Sequence, residues 1–198
     1  MTTIAILIPA AGASTRMGGP DKLMQDANGL PLLARVIARA TATGLPVFVT
    51  LPSLTHRRAR LVREGNATPV VVPDWASGMA ASIRAGIAAL PKRTPAVMIL
   101  PGDMPDLQTR DLQALTQSAQ TAPDAIIRAT TSDGVPGHPV IFPGDLFEEL
   151  QTVTGDQGAR QVIRAHKARL RLHALAGSRA LCDLDTPDDW AIWRAAQT

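Results

Sequence analysis

The apolar run at the start of the chain constrains the fold more than any other feature. Residues 4–8 read Ile-Ala-Ile-Leu-Ile without a polar interruption. Such a run is typical of a strand buried on both faces of a parallel sheet, because a strand with one face in water alternates apolar and polar residues. Ligands of an open α/β sheet bind outside the carboxyl ends of its strands. We therefore expect a binding site where this run stops.

The residues after the run predict a loop that binds phosphate. Small residues, which let backbone N–H groups approach a ligand, stand at Ala10, Ala11, Gly12, Ala13 and Ser14. Arg16 and Lys22 add two cations, and backbone N–H groups with cations are typical of phosphate sites. The loop is not a Walker A motif, because Leu follows Lys22, and it lacks Gly-x-Gly-x-x-Gly. A glycine-rich turn with two solvated cations remains the alternative.

Apolar runs and helical patterns alternate along the rest of the chain. Predicted strands occupy residues 47–51, 70–72, 96–100, 125–130, 139–142, 169–173 and 181–184. Predicted helices occupy residues 31–42, 56–63, 77–90, 109–119, 143–150, 156–166 and 187–196. This order predicts an α/β fold, a single three-layer, doubly wound, mostly parallel sheet in one domain that spans residues 1–198.

The amino-acid composition limits the kinds of partner that we expect the chain to bind. Three Trp, three Phe and no Tyr leave little aromatic surface for stacking bases, and the net charge is only +3, so we expect no nucleic-acid partner. Cys182 is the only cysteine, which excludes an intramolecular disulfide and a multi-cysteine metal site. No apolar stretch approaches the roughly 20 residues that cross a bilayer. We expect a cytoplasmic protein that does not bind membranes.

An aspartate follows the predicted strand at residues 96–100. Asp103 lies between Gly102 and Pro105, so it should project from the strand end in a fixed turn. Mg²⁺ binds through one or two carboxylates together with substrate phosphates, so one aspartate beside a phosphate loop is sufficient. The alternative is that Asp103 caps the helix near Thr109 or closes a turn.

A second acidic segment lies near the C-terminus, at residues 183–189. Thr186 fits a helix N-cap and Pro187 the first helical position. Asp183 and Asp185 alternate along the end of a predicted strand, and capping does not require them. They are therefore candidates for a further role.

Two other segments have both a structural and a functional interpretation. Ser77, Gly78 and Ser82 open a predicted helix, whose N-terminus can bind an anion or can simply be capped and packed. The segment that begins at Gly155 fits a helix start capped by Asp156, or a loop whose Arg160 meets a phosphate. We predict that the basic cluster of residues 56–63, which includes Arg57 and Arg58, is a solvated helix face.

Six segments, in this order, resemble MobA-like nucleotidyltransferases, and molybdenum cofactor cytidylyltransferases in particular. They are residues 4–22, 77–86, 102–105, 137–142, 155–160 and 183–187. The resemblance covers nearly the whole chain. It implies a Rossmann-like nucleotidyltransferase fold of the nucleotide-diphospho-sugar transferase type. It also implies Mg²⁺-dependent transfer of a nucleoside monophosphate from an NTP to the terminal phosphate of molybdopterin, with release of pyrophosphate.

The resemblance also implies roles for individual residues. Arg16, Lys22 and Asp103 would be catalytic, and Asp103 and Asp185, rather than Asp183, would hold the metal. Residues 10–14 with Arg16, Lys22, Ser77, Gly78 and Ser82 would bind the nucleotide, and His138, Asp156 and Arg160 the acceptor. An alanine at position 11 accompanies CTP as donor in this family, whereas residues 18–22, Gly-Gly-Pro-Asp-Lys, look more like the guanylyl-transferring version.

Three alternatives are open. The first is a nucleotidyltransferase with GTP as donor or another phosphorylated acceptor, such as a sugar phosphate. The second is a non-catalytic nucleotide-binding protein or chaperone that serves a molybdoenzyme, but Arg16, Lys22 and Asp103 together argue against it. The third is an NAD-dependent oxidoreductase, which the missing glycine fingerprint disfavours.

Overall fold

The structure is a computed structural model that describes residues 3–12, 21–155 and 158–197. Its described strands are β1 (Ala5–Ile8), β2 (Val47–Leu51), β3 (Thr68–Val71), β4 (Ala96–Ile99), β5 (Ile126–Thr130), β6 (Pro136–Pro143) and β7 (Leu170–Ala174). They form one sheet in the order β3-β2-β1-β4-β6-β5-β7. Only β6, among these strands, pairs antiparallel with both neighbours. The predicted mostly parallel α/β fold is confirmed.

Helices cover both faces of this sheet. They are α1 (Leu32–Thr41), α2 (Arg58–Glu64), α3 (Met79–Ala88), α4 (Thr109–Thr121), α5 (Phe147–Thr152), α6 (Arg160–Ala165) and α7 (Pro187–Ala195). Residues of α1, α2, α4 and α7 share one apolar cluster with Ile6 and Ile8, whereas residues of α3, α5 and α6 share another with Ala5 and Leu7. Strand β1 therefore lies between two cores, which explains why its sequence is apolar at every position.

The antiparallel strand β6 brings a further segment to the ligand-binding edge. Ile99, at the end of β4, pairs with Val140 of β6. Because β6 runs in the opposite direction, its first residues, including His138, lie at the edge where β1 and β4 end. This strand begins at Pro136, three residues earlier than the predicted run over residues 139–142.

The sequence prediction of a strand over residues 181–184 is wrong. The segment between β7 and α7 folds as turns, in which the Asp183 amide donates to the Leu181 carbonyl at 3.0 Å. Leu184 is buried and its amide donates to the Asp103 carbonyl at 3.1 Å. Its apolar side chain therefore reflects a loop packed on the Asp103 turn, not a strand in the sheet.

The helix caps are partly as predicted. Thr186 caps α7 by accepting a hydrogen bond from the Asp189 amide, and the Asp189 carboxylate accepts one from the Thr186 amide in return, with Pro187 at the first helical position. Helix α4 is capped by Gln108 and Asp111, so Asp103 is not its cap. Among the described residues, no helix is both long and apolar enough to cross a membrane.

Candidate active site

The loop after β1 is anchored by backbone hydrogen bonds to its neighbours. The Ala10 amide donates to Thr50 Oγ1 of β2 at 3.0 Å. Ala10 and Ala11 are buried, and Ala11 clusters with Val72 and Ala81. The methyl group of Ala11 therefore packs against the start of α3, and it sets how closely that helix approaches the loop.

Lys22 lies between two carboxylates at the same edge of the sheet. Asp21 accepts a hydrogen bond from the Leu23 amide and caps the short 3₁₀ turn Lys22–Met24. The Lys22 ammonium donates to Asp103 Oδ2 at 2.5 Å and also to Asp185 Oδ1. Burial alone would lower the pKa of Lys22, but the two carboxylates outweigh it and raise the pKa. Lys22 is thus a cation held by both predicted metal ligands.

Close packing fixes the position of Asp103. A side chain at Gly102 would meet Leu33 Cδ1 at 3.3 Å and Ile8 Cγ2 at 3.4 Å, so the β4 loop lies against the end of β1. The Leu184 amide bonded to the Asp103 carbonyl ties the C-terminal segment to the same loop. Asp103 and Asp185, 82 positions apart in the printed numbering, therefore meet at one site.

The carboxylates at this site fit a divalent cation. Asp103 Oδ1 is buried and has no hydrogen-bond partner among the described residues. Burial raises the pKa of Asp183, and the negative charges of Asp103 and Asp185 act in the same direction. The described residues contain no group of three or more metal-ligating side chains. A metal here would need ligands from substrate or water, which matches the coordination habit of Mg²⁺.

The prediction that Arg58 belongs to a solvated helix face is wrong. Arg58 is 2% exposed, and its guanidinium forms a two-point pair with Asp21 and donates to the carbonyls of Ala10 and Gly12. Burial alone would raise the pKa of Asp21, but Arg58 outweighs it and lowers the pKa. Arg57, Arg60 and Arg63 are exposed members of the cluster, and the first two have exposed side-chain fractions of 59% and 70%.

The predicted nucleotide-binding residues near α3 lie at different depths. Ser77 is exposed at the end of the 3₁₀ turn Trp75–Ser77, and Gly78, with a φ of +91°, leads into α3 at Met79. Ser82 is buried one turn into the helix. Among the residues that the structure describes, no side chain caps the first turn of α3. Of these residues, Ser77 and Gly78 lie at the helix start, where an anion would bind.

A pocket adjoins the carboxylates on the β6 side. It is lined by Pro9, Met79, Ile83, Ile99, Pro101, Arg128, His138, Val140, Phe142, Gly158, Ala159, Arg160 and Ile163. Pro9 directly follows β1 and Pro101 lies two residues after the end of β4, so the pocket opens beside the loop after β1 and the Asp103 turn. None of the described residues that line it is a carboxylate.

His138 is a neutral group of this pocket. Burial lowers the pKa of His138 to about 4, and the positive charge of Arg128 acts in the same direction. Its Nδ1 atom is buried without a hydrogen-bond partner among the described residues. His138 can therefore bind a ligand as a neutral imidazole at neutral pH.

Arg128 is a pocket residue that the sequence analysis missed. It lies on β5, and its Nε donates to the Gly137 carbonyl at 3.0 Å. Burial lowers the pKa of Arg128, and the nearby charge of Arg160 adds to this effect. Two guanidinium groups thus face one largely apolar pocket. The signal available in the sequence was a single arginine inside the apolar run of residues 125–130.

Four of the predicted site residues, Ala13, Ser14, Arg16 and Asp156, lie outside the described residues. The structure brings together Lys22, Asp103 and Asp185 at one point, and His138 and Arg160 at the adjoining pocket. These groups occupy the edge at which parallel α/β sheets bind their ligands.

Comparison with known proteins identifies the family. The model of the MobA-like NTP transferase domain matches residues 6–170. The chain belongs to this family. It is a nucleotidyltransferase, and the resemblance noted in the sequence is confirmed.

The relatives include enzymes with different nucleotide donors. The chain is 31% identical over 194 residues to a molybdenum cofactor guanylyltransferase of Pseudomonas paraeruginosa, covering 93% of this chain and 91% of the relative. It is 24% identical over 194 residues to a molybdenum cofactor cytidylyltransferase of Escherichia coli, covering 96% and 95%. The relatives of this chain therefore include enzymes named for guanylyl transfer and enzymes named for cytidylyl transfer.

A solved structure supports the fold assignment. The crystal structure of Rv0371c from Mycobacterium tuberculosis H37Rv superposes with a TM-score of 0.81 and 25% identity over 100% of both chains. The same mycobacterial protein has also been solved in complex with manganese.

Proposed function

We propose that this protein transfers CMP from CTP, with Mg²⁺, to the terminal phosphate of molybdopterin and releases pyrophosphate. The observation that carries the proposal is the meeting of Lys22, Asp103 and Asp185 beside the loop after β1. Transfer of a nucleoside monophosphate follows from the family, whereas the base, the metal and the acceptor are the proposal. The product would pass in the cytoplasm to a molybdoenzyme or its chaperone.

Asp103 and Asp185 are the proposed ligands of Mg²⁺. Both already hold one cation, the Lys22 ammonium, and Asp103 Oδ1 has no other partner among the described residues. Asp185 is preferred over Asp183 because the carboxylates of Asp103 and Asp185 bind the same ammonium group of Lys22. When bound, the metal would neutralise charge on the phosphates of the reacting nucleotide.

Lys22 and Arg16 are proposed to hold the triphosphate. The ammonium of Lys22 is paired with the carboxylates of Asp103 and Asp185, and a triphosphate would offer it an alternative anion. The loop amides after Ala10, with Ala11, Gly12, Ala13 and Ser14, would add backbone donors. At the start of α3, Ser77 and Gly78 would face the same nucleotide, with Ser82 packed beneath them.

The acceptor is proposed to occupy the pocket between β5, β6 and α6. Its apolar lining suits a flat ring system, and Arg128 and Arg160 suit an anionic group attached to it. His138, as a neutral imidazole, would form a hydrogen bond to the ring, and Asp156 belongs to the same proposed subsite.

The chemistry requires positioning more than proton transfer. A phosphate acceptor is already ionised at neutral pH, so it can attack the donor without a general base. The cations and backbone amides would align the two phosphates and stabilise the charge of the leaving pyrophosphate.

GTP is the second candidate donor. Residues 18–22 resemble the guanylyl-transferring version of the loop, and the guanylyltransferase relative is more similar than the cytidylyltransferase relative, at 31% against 24% identity. In favour of CTP is Ala11, since the family resemblance implies that an alanine at this position accompanies CTP as donor. The packing of Ala11 on Val72 and Ala81 gives this position a physical effect on the width of the site.

Mass spectrometry tests donor and acceptor together. The purified protein is incubated with molybdopterin, Mg²⁺ and each NTP in turn, and the masses of the products are determined. The proposal predicts a cytidylylated molybdopterin and pyrophosphate. A guanylylated product alone would assign the donor to GTP, and transfer only to a sugar phosphate would replace the acceptor.

A further inference from the structure

Arg58 connects the two ends of the loop that follows β1. Its Nη1 atom donates to the carbonyls of Ala10 at 2.7 Å and Gly12 at 2.8 Å, which precede residues 13–20. Its Nε and Nη2 atoms donate to the carboxylate of Asp21, which follows these residues, at 2.8 Å and 2.6 Å. The next residue is Lys22. One buried side chain therefore joins the residues on either side of the segment 13–20.

The geometry requires an arginine. A guanidinium group has a planar set of five donors, so it can bind a carboxylate at two points while it donates to carbonyls on another side. A lysine ammonium is a single point charge and cannot reproduce that arrangement. Because Arg58 and Asp21 are both buried, removal of the Arg58 charge is destabilising: among the described residues it leaves the Asp21 carboxylate with the exposed Arg57 guanidinium, at 3.3 Å, as its remaining cationic partner.

We propose that Arg58 is a positioning residue for nucleotidyl transfer, which holds the residues flanking the phosphate loop at a fixed separation. This inference rests on the proposed function, in which the loop amides and Lys22 bind one triphosphate. With the two ends fixed, the Lys22 ammonium and the amides after Ala10 face the same ligand. Loss of Arg58 therefore weakens NTP binding and spares the acceptor pocket, which lies on the other side of Asp103.

A set of variants distinguishes an effect of Arg58 on the position of the loop after β1 from an effect on the stability of the fold. Arg58→Met removes the buried partner of Asp21 and leaves it, among the described residues, with the exposed Arg57, whereas Asp21→Asn/Arg58→Met removes both buried charges. Arg58→Lys keeps the charge without the planar donors. Arg60→Met, on the same helix with a 70% exposed side chain, is the matched control. Each variant is characterised by thermal melting, by KM for CTP, GTP and acceptor, and by hydrogen–deuterium exchange of the peptides that cover residues 9–24 and 126–143.

We expect the double variant to recover much of the melting temperature that Arg58→Met loses, because no buried charge is left unpaired. The KM for NTP should exceed the wild-type value by about tenfold or more in Arg58→Met, Arg58→Lys and the double variant. This is the effect of losing at least one charge-assisted hydrogen bond. The acceptor KM should stay within about twofold, and exchange should accelerate over residues 9–24 only. Arg60→Met should match the wild type.

Recovery of both the melting temperature and the NTP KM in the double variant would overturn the proposal, because Arg58 would then contribute stability alone. If Arg58→Met does not fold, Arg58→Lys and the double variant decide the question. Failure of the wild type to transfer from either CTP or GTP would instead refute the proposed function. Exchange over residues 9–24 would still show whether Arg58 fixes the loop.

Discussion

The two halves of the site differ in whether their cationic side chains are paired with carboxylates. On the proposed nucleotide side, Lys22 is paired with Asp103 and Asp185, and Arg58 with Asp21. On the proposed acceptor side, Arg128 and Arg160 face a pocket whose described lining has no carboxylate, and His138 is neutral. In the proposed function, the nucleotide side would therefore exchange ion pairs when its ligands bind, whereas the acceptor side would take an anion without breaking a pair with a carboxylate of the described lining. This difference predicts how variants on each side respond.

The largest effect is expected at Asp103. Asp103→Asn should leave the melting temperature close to that of the wild type and lower the rate of transfer by about a hundredfold or more, the scale of losing one transition-state electrostatic element. Asp185→Asn should act in the same direction with a smaller effect. Asp145→Asn, a change of an exposed carboxylate paired with Arg169, is the control. Near-normal turnover in a folded Asp103→Asn protein would remove Asp103 from the metal site.

A variant of Lys22 tests whether the ammonium exchanges the carboxylates of Asp103 and Asp185 for a triphosphate. Lys22→Met should weaken NTP binding by about tenfold or more, because a charge-assisted contact to the triphosphate is lost. Without nucleotide, the same variant should bind Mn²⁺ more tightly than the wild type, because the ammonium no longer competes for Asp103 and Asp185. Isothermal titration calorimetry measures both quantities, with the exposed Lys92→Met as control. Weaker Mn²⁺ binding by the variant would contradict the competition.

Arg128 tests the acceptor side. Arg128→Met should raise the acceptor KM by about tenfold, the loss of one charge-assisted hydrogen bond, and leave the KM for NTP within about twofold. Arg171→Met, on the exposed part of β7, is the matched control. Equal effects on both KM values would mean that Arg128 acts on the whole site through its hydrogen bond to Gly137, and not on the acceptor alone.

A smaller effect is expected for the choice of base. We expect the wild type to favour CTP over GTP by at least roughly tenfold in kcat/KM, which corresponds to about 1.4 kcal/mol. Ala11→Gly should reduce this preference several-fold, because the methyl group that packs on Val72 and Ala81 is lost. Ala10→Gly, in the same loop, should weaken the binding of CTP and of GTP equally. A wild-type preference for GTP would refute the CTP assignment and leave the transferase and its metal site in place.

The sequence was sufficient for the features that depend on local pattern and sheet direction. The apolar run of β1 predicted a strand between two cores, and Thr186 with Pro187 predicted the start of α7. Because carboxyl ends of parallel strands share one edge, the sequence also placed the β1 loop and Asp103 together.

Features that depend on distant partners could not be predicted in this way. Arg58 lies in a basic stretch that looks like any solvated helix face, and its burial follows from Asp21, 37 positions earlier. Arg128 enters the pocket because β6 runs antiparallel beside β5, and local periodicity does not reveal strand direction. The apolar side chain of Leu184 predicts a strand residue, but Leu184 is buried by a tertiary contact with the Asp103 turn, which the local sequence does not reveal.

The smallest expected effect concerns the neutral imidazole of His138. Its pKa is about 4 in the folded protein and 6.5 in the unfolded chain, so between these values only the unfolded chain binds the proton. Stability should therefore be lost as the pH falls from 6.5 towards 4. The charges that face the ring are Arg128, Arg160 and Asp103, of which only Asp103 favours protonation. In thermal melts at pH 7 and pH 5.5, His138→Gln should lose roughly 2–4 °C less than the wild type, the change that about 1 kcal/mol produces in a chain of this size. An equal loss in both proteins would mean that His138 titrates normally and that a protonated imidazole is available to the acceptor pocket.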